Sequence, residues 1–226
     1  MTPTMIVESP RPPLRGLYAI TPDLAHSAEL LARVEAVLAG GVRWVQYRNK
    51  TASSGLRLEQ ARALRAACRR AGAALIINDD VDLVEAVDAD GVHVGGEDGD
   101  PATVRARLGA SRIIGVSCYD SLARARRAKA ACADYVAFGA VYPSPTKPGA
   151  VRAPLRLLGE ARRKVGLPVA AIGGITLAGA PAVIASGGDL LAVITDLFET
   201  TDGDRLAAIT AQAQAYQRLF VQGTTT

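Results

Sequence analysis

The sequence predicts one architecture within the α/β class, a (β/α)8 TIM barrel, and three observations carry that expectation. The chain has 226 residues, close to the roughly 250 typical of such a barrel. Short apolar runs rich in β-formers alternate with Ala-, Leu- and Arg-rich stretches of helical period, and the unit repeats eight times. The runs are almost continuously apolar, as in ALII at 74–77 and VAFGAV at 136–141. That is the pattern of parallel strands buried on both faces. An open doubly wound sheet is the structural alternative, but no GxGxxG follows the first run and no GxxxxGK[ST] occurs anywhere.

In order, the expected strands run from Gly16 to Ile20, Arg43 to Tyr47, Ala74 to Asn78, Gly91 to Gly95, Ile113 to Ser117, Tyr135 to Ala140, Val169 to Gly173 and Leu190 to Ile194, each with a helical stretch behind it. The leader MTPTMIVESPRPPLR holds four prolines and no sustained period, so residues 1–15 are expected to be loose, as are the polar residues 221–226, with one barrel domain over 16–220. The helix after the second strand shows the logic of burial. Leu58, Ala61, Leu64 and Cys68 share one face while Arg57, Arg62, Arg65 and Arg69 fall elsewhere, which makes Cys68 a core residue. Trp44 has the parity of Gln46 and is expected to pack below it.

Net charge is +4, but the arginines are dispersed and aromatics make up only 4%. This favours small anionic ligands over a nucleic-acid groove. Three cysteines, at 68, 118 and 132, have no metal spacing and an odd count, which fits a reducing cytoplasm. No apolar run reaches about 18 residues and no charged-then-apolar leader precedes Gly16, so neither a membrane span nor a secretory signal is expected.

Barrels carry their chemistry at the C-terminal ends of strands. Here those ends read VQYRNK, INDD, HVGGED, GVSC, YPSPTKPG, AIGGI and AVIT from the second strand to the eighth. Strand parity places Gln46, Arg48 and Lys50 on the side facing the barrel mouth, and two converging cations suit phosphate. Asp79 or Asp80, and Glu97 or Asp98, stand at consecutive strand ends, where hard oxygen donors beside cations suit magnesium held by phosphate. Helix capping explains the same acids equally well: Asp79 or Asp80 ahead of VDLVEAV, Asp98 or Asp100 ahead of PATVRARL. Ser117 ends a strand with a hydroxyl suited to a phosphate oxygen, and a proline-restricted loop presents Ser144, Thr146 and Lys147. Gly173 and Gly174 allow close approach to backbone amides, with Ile194 and Thr195 alongside, in the region where barrels commonly bind phosphate. His26 and His93 have no zinc-spaced partners and read as structural histidines.

Taken in order, QYRNK, INDD, GVHVGGED, GVS, PSPTK, AIGGI and AVIT resemble the thiamine phosphate synthase family over about Gly16 to Phe220. The resemblance implies a transferase that condenses 4-amino-2-methyl-5-(diphosphooxymethyl)pyrimidine with a thiazole phosphate or its carboxylated form, releasing pyrophosphate and, from the carboxylated form, carbon dioxide as well. It implies that Gln46, Arg48, Lys50, Asn78, Ser117 and Lys147 hold the pyrimidine's pyrophosphate, that Ser144, Thr146, Gly174, Ile194 and Thr195 meet the thiazole phosphate, and that Asp79 and Asp98 bind Mg2+. Arg48 and Lys147 are then the catalytic cations at the departing group. Three positions depart from the family pattern: Gly96 stands for a common Gln, Ser144 for a common Thr, and Thr195 for a common Ser.

Two rivals share the scaffold. A thiazole tautomerase paralogue tends to lose the metal and pyrophosphate residues and uses a His just after the fifth strand, where this chain has Cys118 and Tyr119. A non-catalytic phosphate-binding barrel would bind without turnover. The expected partners are small phosphorylated heterocycles, not nucleic acid or membrane, and a homo-oligomer is left open.

Overall fold

The structure is a computed structural model that describes residues 11–95, 99–143, 149, 151–199 and 204–221. Eight parallel strands close into a barrel in sequential order: β1 (Gly16–Ile20), β2 (Trp44–Tyr47), β3 (Ala74–Asn78), β4 (Gly91–Val94), β5 (Ile113–Tyr119), β6 (Tyr135–Gly139), β7 (Val169–Ile172) and β8 (Leu190–Val193). The helices between and after them are α1 (Ser27–Ala39), α2 (Ser54–Ala71), α3 (Val81–Val87), α4 (Pro101–Leu108), α5 (Leu122–Ala130), α6 (Arg156–Val165), α7 (Ala180–Ala185), α8 (Thr195–Phe198) and α9 (Arg205–Val221). The barrel expected from the alternation is the barrel observed. One strand differs in kind: β5 runs on to Tyr119 through a register shift between Ser117 and Tyr119, a bulge of the sort that re-aims side chains at barrel rims.

Strand parity divides the core in two. Leu17, Val45, Leu75, Ile77, Val92, Ile114, Phe138 and Leu191 face outward and join the helices in one large cluster. Tyr18, Ile20, Trp44, Ile76, Ile113, Tyr135 and Leu190 fill the interior with Ala74, Ala137, Ala170 and Ala192. Cys68 is fully buried in the outer cluster, as its helical face predicts. Trp44 lies at the bottom of the interior with its ring edge-on to Tyr18. The sequence assigns residues 11–15 to the loose leader, but residues 13–15 are docked here. Leu14 packs against the interior cluster, the Trp44 indole donates to Pro13 O at 2.8 Å, and Arg15 reaches Phe220 O at 3.4 Å. An indole N–H that reaches the barrel floor needs an acceptor, and this segment supplies it.

The lower rim carries a repeated anchor. Asp90, Asp134 and Asp189 stand just before β4, β6 and β8, and each accepts the backbone N–H that opens or lies near the start of the preceding strand: Leu75 at 2.7 Å, Ile114 at 2.7 Å and Val169 at 3.0 Å. Each also pairs with a helix arginine: Arg65 at 2.9 Å, Arg105 at 2.6 Å and Arg162 at 3.2 Å. Every second strand is thus tied to its neighbour and to a covering helix, leaving the opposite rim to the longer loops.

Candidate active site

A cavity of about 740 Å³ opens at the C-terminal ends of the strands. Gln46, Arg48, Lys50, Asn78, Asp79 and Ser117 line it from β2 to β5, and Gly174, Ile194 and Thr195 line it from β7 and β8. Residues that the sequence draws from five separate segments therefore share one space. Asp98, Ser144, Thr146 and Lys147 lie outside the described residues, as does Gly96.

The acids left ambiguous by capping are separated by geometry. Asp80 is the cap of α3, accepting from Leu83 N at 2.9 Å, and Asp100 is the cap of α4, accepting from Ala102 and Thr103. Asp79 stays on the cavity wall with φ 61, a left-handed conformation uncommon for a residue with a side chain. Its N–H donates to His93 O at 2.8 Å, and Asn78 Nδ2 donates to its carboxylate at 2.6 Å. Among the described residues no three His, Cys, Asp or Glu side chains converge as a metal cage. Magnesium needs none, because it binds through one or two carboxylates with substrate phosphate and water.

Arg48 is held by a residue that strand-end reading missed. Its Nη1 donates to both oxygens of Asp23 at 3.2 Å, and the same carboxylate accepts Lys50 N at 2.9 Å. Asp23 follows β1, so its loop braces the loop after β2. A guanidinium has five donors, so this pairing orients the fork without exhausting it. Asp196 does similar work on the other wall, accepting Leu177 N at 3.0 Å, Gln212 Nε2 at 2.8 Å and Tyr216 Oη at 2.6 Å. It ties the segments beyond β7 and β8 to α9.

The floor is polar and linked by a run of hydrogen bonds. Gln46 Nε2 meets Tyr18 Oη at 2.8 Å, Tyr18 Oη meets Tyr135 Oη at 2.8 Å, Tyr135 Oη meets His93 Nδ1 at 2.9 Å, and His93 Nε2 meets Ser117 Oγ at 2.9 Å. Burial pushes the Tyr18 and Tyr135 hydroxyls well above the usual phenol range and pulls His93 down to about 4. The ring is therefore neutral near pH 7. His93 is a satisfied histidine, as the sequence reading expects, yet it also lines the cavity. Ala137, Ala170 and Ala192 leave room above this floor.

The glycine pair after β7 has a second reason to be glycine. At Gly174 (φ 62) a Cβ would fall 2.2 Å from Pro143 O, and at Gly173 (φ 99) one would fall 2.6 Å from Ala140 Cβ. The segment after β6 is thus laid directly on the β7 end, bringing Pro143 to the cavity rim.

Comparison with known proteins identifies the chain's relatives. The thiamine monophosphate synthase family matches residues 17–197. The chain is 58% identical over 207 residues to the thiamine-phosphate synthase of Azoarcus sp., covering 92% of this chain and 98% of that one, and 53% identical to that of Aromatoleum aromaticum, covering 92% and 97%. Among solved structures it is similar to a thiamine phosphate pyrophosphorylase from Pyrococcus furiosus, with TM-score 0.79 and 29% identity, covering 94% of this chain and 98% of that one.

Proposed function

The chain belongs to the thiamine monophosphate synthase family of transferases, and we propose that its cavity makes thiamine phosphate by dividing into two anion-binding halves. The wall from β2 to β5 takes the diphosphate of the pyrimidine substrate through Gln46, Arg48, Lys50, Asn78 and Ser117, with Lys147 from the segment after β6. The wall from β7 and β8 takes the thiazole phosphate through Gly174, Ile194 and Thr195, with Ser144 and Thr146. The observation that carries this reading is the convergence of the described members of both sets on one cavity.

The chemistry follows from charge. The bond between the pyrimidine methylene carbon and the diphosphate oxygen breaks, and its electron pair leaves with the diphosphate. The thiazole nitrogen then donates its lone pair to the methylene cation. No protein nucleophile is needed. The chain's task is to stabilise the negative charge growing on the departing oxygen and to hold the two rings in line. Arg48, braced by Asp23, presents a fixed planar donor, and Lys50 adds a point charge. Asp79 and Asp98 are the residues that would hold magnesium, which would supply positive charge to the leaving group. An oxygen-only donor set suits that hard ion.

Cys118, which stands near the place where the tautomerase branch has its His, is buried in the outer cluster with its thiol pushed up to about 12. It offers no acid–base group to the cavity. No described helix is long and apolar enough to cross a membrane, and the three free cysteines suit the cytoplasm, the compartment we assign. Incubating the purified chain with both heterocycles and magnesium tests the whole reading. Thiamine phosphate and pyrophosphate should appear in equal amounts, and their absence at saturating substrate would refute it.

A further inference from the structure

We propose that Tyr135 and His93 are positioning residues for Ser117, acting through a buried hydrogen-bond relay that crosses the barrel floor from β2 to β5. The proposal rests on the reading above that Ser117 faces the diphosphate.

Counting protons sets the relay's direction. The Gln46 amide nitrogen can only donate, so Tyr18 Oη accepts from it and must give its single proton to Tyr135 Oη. Tyr135 then has one proton left, and it goes to His93 Nδ1. An imidazole that accepts at Nδ1 and is neutral carries its proton on Nε2, which donates to Ser117 Oγ. The Ser117 proton is thereby left for the cavity occupant. With the amide of Gln46 turned over, every bond would reverse and Ser117 would present lone pairs to an anion. Anion binding at Ser117 is therefore coupled to the orientation of the Gln46 amide.

Gly115 gives independent support. A Cβ there would lie 2.0 Å from Tyr135 Cζ and 2.3 Å from its Oη, so this strand position yields its side-chain space to the tyrosine ring. That ring then stacks on His93, with centroids 5.5 Å apart.

A double-mutant cycle tests the relay. Tyr135→Phe should slow the bond-breaking step about tenfold in single-turnover experiments, with KM for the thiazole partner unchanged, but less than about twofold in a Ser117→Ala background. Equal losses in both backgrounds would overturn the proposal. If Tyr135→Phe does not fold, His93→Gln, which keeps an amide donor, should retain more of the rate than His93→Leu; equal loss in the two would count against the relay. Nitrogen-15 shifts of the His93 ring, read with magnesium and inorganic pyrophosphate bound, should show the Nε2–H tautomer; an Nδ1–H ring would reject it. An unaffected Ser117→Ala would remove the relay's purpose, whereas a wild-type chain that makes no thiamine phosphate would sink the functional reading instead.

Discussion

The two rims of this barrel use the same residue types to opposite ends. On the lower rim, Asp90, Asp134 and Asp189 each hold a backbone N–H and a helix guanidinium, so their charge is spent on joining strand to strand and strand to helix. At the mouth, Arg48 is braced by Asp23 yet still lines an open cavity, and Asp79 stands in a left-handed conformation on its wall. Paired ions on one rim stabilise the fold. On the other, Arg48 and Lys50 line a cavity, where we propose that they meet a ligand's charge.

The contrast can be broken most sharply at the mouth. Arg48→Ala should lower kcat/KM by roughly 10²–10³-fold, with a melting temperature that stays near that of the wild type; unfolding in step with the lost activity would place Arg48 among the structural ions. Next in size is an acid effect on the floor. His93 is held down to about 4 by burial, below its ordinary 6.5. The unfolded chain takes up a proton that the folded one refuses. This stability is fully present above about pH 6.5 and is lost as pH falls towards 4, by about 3 kcal/mol. Denaturation midpoints across that window should flatten in His93→Gln, and an unchanged slope would mean that the ring titrates normally.

On the lower rim, Asp134→Ala should cost about 2 kcal/mol of stability, read by urea denaturation, while turnover of the folded fraction is kept. A large kcat loss there would erase the division between rims. The smallest effect separates adjacent acids. Asp80→Ala removes a helix cap worth about 1 kcal/mol and should leave activity largely intact, whereas Asp79→Ala should keep stability and lose turnover. Similar activity losses in both would show that the two carboxylates share a role.

The distribution of the site between sequence and structure follows from its chemistry. Gln46, Arg48, Lys50, Asn78 and Ser117 were legible because polar residues at the ends of apolar strands cannot join a core and have to face the mouth. Asp23 was not, because it lies in a loop with no period to orient it and meets Arg48 only when β1 and β2 pair. Asp196 was passed over for a similar reason: its three partners come from two other segments of the chain. The acids around positions 79 and 98 read equally as caps or ligands, since both tasks call for a carboxylate just before a helix. Only the bond to Leu83 N assigns Asp80 to the first task.

The sequence by itself determined the barrel, because hydrophobic period is a local property and eight strand–helix units leave few ways to bury every strand. It also determined which charged side chains would line the cavity at the mouth. The tertiary structure decided how that rim is held. The relay beneath the cavity joins residues from β1, β2, β4, β5 and β6, and it depends on Gly115 leaving space for a ring from the neighbouring strand. Hydrogen-bond direction is a property of the closed chain of partners. No single segment contains it.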